Sequence, residues 1–331
     1  MKAMLMTATG GPEVLQLADV AEPMLVRPTE VKVRLHAAGV NPIDTKIRRR
    51  GLLGPNPLPA ILGCDGAGEI VEKGPDADLF AVGDRVWFCN GGLGGDPGNY
   101  AEYTVIDQRW LVRMPERLSY EQAAAAPLVL ITAWGALYDR ARLREGQSVL
   151  IHAGAGGVGH VAIQLAKLRG ARVLATVGSA DKAAFVQGLG ADETIDYRNE
   201  DFVARTNELT EGVGVDVTLD TVGPEVLARS TRCTAHFGDL VTLLDLGSAS
   251  MAESRMRNHR IGFELMLTPQ LRNLARARDH QIEILRRCGE WLDAQSLLIH
   301  VSDVLPLADA ADAHRAIEDG HVSGKIVLRI V

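Results

Sequence analysis

Glycines at positions 154, 156 and 159 have the spacing G-x-G-x-x-G. A short apolar run typical of a buried strand, Val149–Ile151, precedes them, and apolar side chains at near-helical spacing follow them as far as Gly170. In such a strand–turn–helix the glycines permit a tight turn, close approach of a pyrophosphate, and close packing of the helix on the sheet. The N–H groups and the positive dipole end of that helix then face the phosphates. The pattern predicts a dinucleotide site formed by Gly154, Ala155, Gly156, Gly157, Val158 and Gly159.

The end of the next predicted strand, Arg172–Val177, bears on which nicotinamide dinucleotide binds. A site for NAD usually places a carboxylate there, where it bonds the ribose 2′-OH. This chain instead has Ser179 and Lys182, a hydroxyl and an ammonium that suit a 2′-phosphate. In the alternative interpretation Ser179 only caps its helix and Lys182 is a surface residue, and Asp181 keeps that alternative open. We predict NADPH as the cofactor.

The elements that must position this site alternate between strand and helix from Ser148 onward. A capping box, Ser119 with Gln122, indicates the start of a preceding helix. Six strands with helices between them favour an α/β fold with a doubly wound parallel six-stranded sheet. The predicted strands are Val149–Ile151, Arg172–Val177, Glu193–Ile195, Val215–Asp220, Leu240–Leu244 and Ile261–Leu265.

The first 120 or so residues contain short strands and turns without this alternation, as is typical of a compact β domain. Within them, Asn90–Gly98 holds five glycines and is predicted to be a mobile loop. The C-terminal tail also breaks the alternation and ends in a predicted strand, Ile326–Ile330. We expect residues 1–122 and 270–331 to form one discontinuous domain, and residues 123–269 to form the dinucleotide-binding domain.

Composition excludes several classes of protein. A net charge of −7 argues against nucleic-acid binding, and the basic run at Lys46 and Arg48–Arg50 is expected to be a solvated face. No apolar stretch approaches the roughly 18–20 residues of a membrane span, and the N-terminus lacks the pattern of a signal peptide. Four widely separated cysteines are typical of reduced thiols. A cytoplasmic protein is predicted.

Several further motifs, in this order and spacing, resemble those of the medium-chain dehydrogenase/reductase superfamily, and within it the zinc-independent quinone oxidoreductase, or zeta-crystallin-like, branch. The resemblance covers nearly the whole chain. It implies a GroES-like β domain, a Rossmann domain, an active site in the cleft between them, and a homodimer or homotetramer. The motifs are Ala38–Asp44, Leu62–Gly68, Gly83–Val86, Tyr100–Tyr103, Ala153–Gly159, Ile195–Tyr197 and Gly324–Leu328.

The resemblance also implies roles for individual residues. Asn41 would lie on the loop that faces the nicotinamide, where its amide N–H could donate to a carbonyl; alternatively it is only a turn residue before a proline. Thr132 would supply a hydroxyl near the nicotinamide. Tyr197 would lie near the 2′-phosphate, and Leu244 and Phe263 are likewise expected in the cofactor site.

No metal is expected. The zinc-dependent relatives have a cysteine where this chain has Asn41, a histidine where it has Cys64, and four closely spaced cysteines where it has only Cys89. A catalytic zinc needs three protein ligands and a structural zinc needs four. Cys64 is therefore interpreted as a small buried thiol. Asp65 and Lys325 are expected to pair, or to bond backbone groups, in a structural role.

These patterns together predict an enzyme in which the cofactor carries the chemistry and the protein orients and polarises the reactants. The favoured function is NADPH-dependent, zinc-independent reduction of quinones or α,β-unsaturated carbonyl compounds. Two alternatives stay open: an enoyl-thioester reductase, and a non-catalytic NADPH-binding protein of the crystallin kind. The predicted partners are a small-molecule substrate and further copies of the chain, with neither nucleic acid nor membrane.

Overall fold

The computed structural model describes residues 1–331, which form two compact units. The first unit comprises Met1–Leu128 and Leu267–Val331, and the second comprises Val129–Met266. The range predicted from the sequence for the second unit was residues 123–269, so this unit begins six residues later and ends three residues earlier than predicted. No helix is both long and apolar enough to cross a bilayer.

The N-terminal part of the first unit is built mainly of strands. β-Branched and leucine side chains occupy alternate positions of its longest strand, β3, so one face of that strand is buried. The capping box predicted at Ser119 and Gln122 is confirmed. The elements are β1 (Lys2–Met6), β2 (Leu15–Asp19), β3 (Glu30–Val40), α1 (Pro42–Arg50), β4 (Ala60–Ile61), β5 (Asp65–Lys73), β6 (Arg85–Cys89), β7 (Tyr103–Asp107), β8 (Val112–Arg113) and α2 (Tyr120–Ala125).

The second unit contains the predicted parallel sheet, with strand order β11-β10-β9-β12-β13-β14. All its neighbouring strands run parallel, which confirms the doubly wound α/β fold. A π-helical turn, Gly135–Arg140, follows the first helix. The elements are α3 (Pro127–Trp134), β9 (Ser148–Ile151), α4 (Gly157–Leu168), β10 (Arg172–Val177), α5 (Ala180–Gly188), β11 (Glu193–Asp196), α6 (Phe202–Leu209), β12 (Val215–Asp220), α7 (Pro224–Ser230), β13 (Thr234–Thr242), α8 (Ala252–Met256) and β14 (Arg260–Phe263).

The C-terminal segment adds the last strands to the sheet of the first unit. β16 pairs antiparallel with β3, and β15 pairs with the other side of β16. The resulting seven-stranded sheet has the order β15-β16-β3-β5-β6-β8, with β7 also paired to β3, and a small sheet has the order β2-β1-β4. The segment contains α9 (Thr268–Leu271), α10 (Ala275–Asp293), β15 (Val301–Pro306), α11 (Ala310–Asp319) and β16 (Lys325–Arg329).

One local expectation for the first unit is wrong. Arg48, predicted on a solvated face, is only 1% exposed; its guanidinium donates to Gly10 O at 3.1 Å and to Glu318 Oε1 at 2.6 Å. The glycine-rich stretch Asn90–Gly98 forms the predicted loop, whose mobility stays a prediction; it is largely buried around Leu93 and accepts backbone hydrogen bonds from residues 53 and 54. Both segments are held by partners that are distant in sequence.

Candidate functional site

The glycine turn between β9 and α4 has no room for side chains at two of its three motif positions. A Cβ at Gly159 would lie 2.3 Å from Ala153 O, and a Cβ at Gly154 would lie 2.9 Å from the Cβ of Ala175. Gly156, the N-cap of α4, is less crowded, since a Cβ there would lie 3.2 Å from Ala153 O. The first backbone N–H groups of a helix have no partner within it. The turn thus brings bare backbone and these N–H groups together, as binding of a pyrophosphate requires.

A buried histidine, which the sequence reasoning missed, supports this turn. His152 directly follows β9, and its ring nitrogens lie 3.2 Å from Thr176 Oγ1 and 2.9 Å from Ser230 Oγ. The same Thr176 hydroxyl accepts the N–H of Ala153 at 3.1 Å, where the backbone is left-handed with φ of 50°. Burial lowers the pKa of His152 to about 3, so its ring is neutral and serves as a hydrogen-bonding support. A histidine at the end of a buried apolar strand was the available signal.

The end of β10 carries no carboxylate. Ser179 is the N-cap of α5, and its hydroxyl accepts the backbone N–H of Lys182 at 3.3 Å. The capping role foreseen as an alternative is therefore present, although a capping hydroxyl still has its own hydrogen to donate. Tyr197 covers Gly178 so closely that a Cβ there would lie 2.7 Å from the tyrosine hydroxyl. Ser179 and Lys182 thus belong to the short stretch of backbone from 178 to 182, and Tyr197 packs against its first residue, Gly178.

Two acidic residues, Asp196 and Asp181, lie near this segment in sequence or in the sheet; the first is bonded to its own turn and the second is exposed. Asp196, at the end of β11, accepts from the backbone N–H of Arg198 at 3.1 Å and from the side-chain amide of Asn199 at 2.7 Å. Asp181 lies exposed in the first turn of α5. The carboxylate of Asp196 is thus used to close its own turn, and the polar residues that follow β10 at the start of α5 include Ser179 and Lys182.

The candidate cofactor residues of the second unit share one edge of its sheet. Parallel strands all end at the same edge, and this is where nucleotides bind in doubly wound folds. Gly154, Gly178 and Tyr197 follow β9, β10 and β11, while Leu244 follows β13 and Phe263 ends β14. The backbone N–H of Leu244 donates to Thr242 Oγ1 at 3.1 Å, and Thr242 pairs with Phe263 in the sheet.

Thr132 lies in α3 and is buried. It belongs to the second unit, whereas Asn41 belongs to the first. The hydroxyl contact that the resemblance implies for Thr132 stays a prediction.

Asn41, at the N-terminus of α1, is fully buried, and both ends of its amide have partners. Its Nδ2 donates to Asp65 Oδ2 at 2.9 Å, and its Oδ1 accepts from the ammonium of Lys325. The expectation that Asp65 and Lys325 pair or bond backbone groups is confirmed for the backbone bonds, and Asn41 also bridges the two residues. Each also bonds backbone: Leu128 N donates to Asp65 Oδ1 at 2.9 Å, and Lys325 Nζ donates to Val40 O at 2.8 Å. Asn41 therefore has one amide N–H committed to Asp65, which differs from the open donor expected from the sequence.

Burial dominates the electrostatics of this cluster. It lowers the pKa of Lys325 and raises the pKa of Asp65, and the attraction between the two opposes both shifts. Burial also raises the pKa of Asp44 to about 7, although Asp44 Oδ2 accepts from Asn41 N and from the hydroxyl of Tyr100, each at 2.9 Å. The other carboxylate oxygen of Asp44 has no hydrogen-bond partner. Asp44 is thus a buried carboxyl group that takes up a proton near neutral pH.

Two buried cysteines near Asp65, Cys64 and Cys89, have raised thiol pKa values. A hydrogen bond with the Cys89 thiol lowers the pKa of Cys64, but burial and the neighbouring carboxylates raise it overall. The hydrogen bond with Cys64 and burial raise the pKa of Cys89 well above its ordinary value. Thiolates are the forms that bind metals and attack electrophiles. Both residues are therefore expected to persist as thiols.

The donor set around Asn41 does not fit a catalytic zinc ion. Such an ion needs three protein ligands, and no group of three histidine, cysteine or carboxylate side chains is placed to supply them. The ammonium of Lys325 bonds the amide oxygen of Asn41, so a positive charge already lies beside this position.

Comparison with known proteins matches both units. Residues 27–116 match the family model described as alcohol dehydrogenase GroES-like domain, and residues 189–328 match that described as zinc-binding dehydrogenase. The chain is 42% identical over 210 residues to a quinone oxidoreductase of Pseudomonas aeruginosa, an alignment that spans 63% of this chain and 63% of that protein.

Solved structures match over the whole chain. A structure described as an NAD-dependent alcohol dehydrogenase has a TM-score of 0.91 at 35% identity and covers 100% of both chains. The quinone oxidoreductase of Escherichia coli complexed with NADPH has a TM-score of 0.88 at 30% identity, and the match covers 99% of this chain and 100% of that one. Solved structures with this fold thus include one that is described as NAD-dependent and one that is complexed with NADPH.

Proposed function

Because the chain belongs to the zeta-crystallin-like, quinone oxidoreductase branch of the medium-chain dehydrogenase/reductase superfamily, we propose that it is an NADPH-dependent oxidoreductase that reduces quinones or α,β-unsaturated carbonyl compounds without a metal. NADPH, when bound, supplies a hydride to an electrophilic carbon of the acceptor. The protein binds and orients the two reactants. The glycine turn and the N-terminus of α4 bind the pyrophosphate.

The observation that carries this proposal is the end of β10, where Ser179 and Lys182 stand in place of a carboxylate and Tyr197 covers Gly178. A carboxylate at this position would bond a 2′-OH and repel a 2′-phosphate, whereas a hydroxyl and an ammonium can bond the phosphate. The NADPH complex of the related Escherichia coli enzyme supports the same choice. The relative described as NAD-dependent has a similar fold, so the argument for NADPH depends on these side chains.

Metal-free chemistry is supported by the donor set around Asn41. With Cys64 as a buried thiol and Lys325 bonded to the Asn41 amide, the chain offers hydrogen-bond donors and a buried cation there in place of three ligands. Orienting NADPH and its acceptor needs no further cofactor. Metal analysis of dialysed protein tests this part of the proposal, and stoichiometric zinc required for turnover would contradict it.

A panel of acceptors tests the reaction itself. The wild-type protein should oxidise NADPH with quinones, with enals and enones, or with both. Turnover confined to enoyl thioesters would favour the enoyl-thioester reductase instead. Tight NADPH binding without turnover of any acceptor would favour a non-catalytic NADPH-binding protein.

Lys182→Ala should weaken NADPH binding by about tenfold and leave NADH binding nearly unchanged. A charge-assisted contact to the 2′-phosphate contributes about 1.5 kcal/mol or more, and about 1.4 kcal/mol corresponds to tenfold in affinity. Dissociation constants for both cofactors, measured by nucleotide fluorescence, provide the test. Lys167→Ala is the matched control, because Lys167 pairs with Asp192 on the surface of the same unit. Equal losses for NADPH and NADH would show that Lys182 does not contact a 2′-phosphate.

Assembly of the protein into a homodimer or homotetramer is also part of the proposal. β14 is an edge strand of the six-stranded sheet; Phe263, its last residue, and Leu265, just after it, are each 53% exposed. An unpaired strand edge with apolar side chains is a template for pairing with another chain. Light scattering on the purified protein tests this, and a monomer at micromolar concentration would contradict it.

A further inference from the structure

A surface groove in the first unit has the edge strand β7 along one of its walls. The groove has a volume of about 590 Å³, and Tyr103, Thr104 and Val105 of β7 line it. No residue that we assign to binding of the cofactor or the acceptor is among its lining residues. The other walls come mainly from the segments 20–27, 56–61 and 94–97, together with Met1 and Leu5. This groove is therefore a second candidate binding site.

The outer edge of β7 is unpaired where it lines the groove. β7 pairs only with β3, and Leu35 N donates to Glu102 O at 2.8 Å just before this pairing. Because bonded residues alternate along an antiparallel pair, Thr104 faces β3, and the backbone N–H and C=O groups of Tyr103 and Val105 face away from it. No other group of the chain bonds these outward groups. The edge thus offers hydrogen-bond donors and acceptors to a further strand.

Local hydrogen bonds hold the walls of the groove in place. The carboxylate of Glu30, which is only 5% exposed, accepts from Val26 N at 2.7 Å and from Arg27 N at 2.8 Å. On another wall, the side-chain amide of Asn56 donates to Gly95 O at 2.7 Å. Each bond ties a loop of the groove to a second point of the chain. The groove therefore exists before anything binds, so that little ordering of its loops opposes binding.

The two most exposed large apolar side chains of the protein lie on one wall of the groove. Val26 is 86% exposed and Met24 is 78% exposed. Prolines at positions 23, 57, 59 and 97 also line the groove, and a proline has no N–H to donate. The groove therefore combines an apolar surface with the polar backbone edge of β7. These are the two features that an added β-strand uses.

The charges of the groove favour a basic occupant. Asp96 is exposed and forms no ion pair, whereas Arg27 is the only lysine or arginine that lines the groove, and its Nε donates to Glu30 Oε1 at 2.7 Å. A second copy of the chain that paired through the same surface would bring another Asp96 but no free cation of the groove. Like charges brought together oppose association. A basic segment of a different protein supplies the charge that is missing here.

We propose that the groove binds an extended peptide segment of another protein, which adds as a strand to the outer edge of β7 and places a basic side chain near Asp96. Alternate side chains of this segment are apolar, because they cover Met24 and Val26. In strand addition of this kind, main-chain hydrogen bonds give affinity and the side-chain contacts give selectivity. The site lies wholly within the first unit and does not depend on the proposed function.

A synthetic peptide tests the proposal on the full-length protein. The probe is a fluorescently labelled hexapeptide of alternating valine and threonine with one central arginine and blocked ends. We expect saturable binding, measured by fluorescence anisotropy. Hydrogen exchange at the amides of Tyr103 and Val105, followed by nuclear magnetic resonance, should slow by about tenfold in the complex, as one added hydrogen bond implies.

Two variants remove different parts of the groove. Val105→Pro deletes an outward N–H and keeps the bonds to β3, so binding should weaken by about tenfold. Met24→Ser/Val26→Ser removes apolar surface without touching the sheet, and should weaken binding at least about tenfold. The second variant decides the matter if the proline variant does not fold. Val213→Ser, which changes a 66% exposed side chain of the second unit, is the matched control and should bind the probe as the wild type does.

The charge is tested separately. Asp96→Asn should weaken binding of the probe by about threefold, as is typical of an exposed ion pair, whereas Asp181→Asn should not. A probe that does not bind saturably, or that binds without slowing exchange at Tyr103 and Val105, would overturn the proposal. Slowed exchange at these amides that depends on protein concentration without peptide would also overturn it, because a second copy would then occupy the groove.

Discussion

Replacing Gly159 by alanine should weaken NADPH binding by at least 100-fold, or about 2.7 kcal/mol. The added Cβ would lie 2.3 Å from Ala153 O and 2.7 Å from Gly154 O. Both are backbone atoms, so no side-chain rotation can relieve the contact. Ala153 is held in place through Thr176, so the turn and the N-terminus of α4 must separate. That movement displaces the N–H groups that bind the pyrophosphate.

A second glycine provides the matched control. A Cβ at Gly188, the last residue of α5, would meet nothing within 4 Å. Gly188→Ala should therefore leave NADPH binding unchanged and raise stability by up to about 1 kcal/mol, because alanine loses less entropy in a helix. Fluorescence titration and thermal unfolding of both variants provide the measurements. NADPH binding by Gly159→Ala within threefold of wild type would show that the turn does not hold the phosphates.

Asp44→Asn should become progressively more stable than the wild type as the pH rises from 5 to 8. Burial raises the pKa of Asp44 from 3.8 to about 7, so between these values the folded protein keeps a proton that the unfolded chain has released. Folding stability contributed by this group is complete below 3.8 and is lost as the pH rises toward 7. The slope is about 1.4 kcal/mol per pH unit, and an asparagine cannot ionise.

Denaturant unfolding at several pH values measures this effect. The difference in stability between Asp44→Asn and the wild type should grow by about 2 kcal/mol across this range. The shared contributions of other groups, such as His314 near Tyr100, largely cancel in the difference. Asp181→Asn, which changes an exposed carboxylate, is the control and should show no such trend. A constant difference for Asp44→Asn would mean that this carboxyl is ionised throughout.

Local pattern was sufficient for most of the second unit. Each strand and the helix that follows it form one continuous stretch of chain, along which the spacing of the apolar residues changes from that of a strand to that of a helix. Neighbouring residues are therefore enough to predict each strand–helix unit. β10 has the same bounds, Arg172–Val177, in sequence and structure. The capping box at Ser119 could be predicted for the same reason, because its partner, Gln122, is three residues away. The glycine motif was readable because the strand before it and the helix after it are contiguous.

Long-range partners were not predictable in this way. Arg48 looked like part of an exposed basic run because Glu318, its partner, is 270 residues away. Asn41 looked like an open donor because one partner lies 24 residues along the chain and the other 284. Sequence spacing contains no signal for such contacts, which depend on how β16 joins β3. The bridge that Asn41 forms between Asp65 and Lys325, and with it the buried state of Asn41, could be found only from the folded structure.

The most direct test of the central claim is the initial rate of reduced-nicotinamide oxidation by protein dialysed against a chelator, compared for NADPH and NADH with one quinone as acceptor. NADPH-dependent, metal-free reduction predicts turnover that survives chelation, with kcat/KM at least about tenfold higher for NADPH, as loss of one charge-assisted contact implies. Equal or higher kcat/KM with NADH, or activity lost on chelation and restored by zinc, would contradict it.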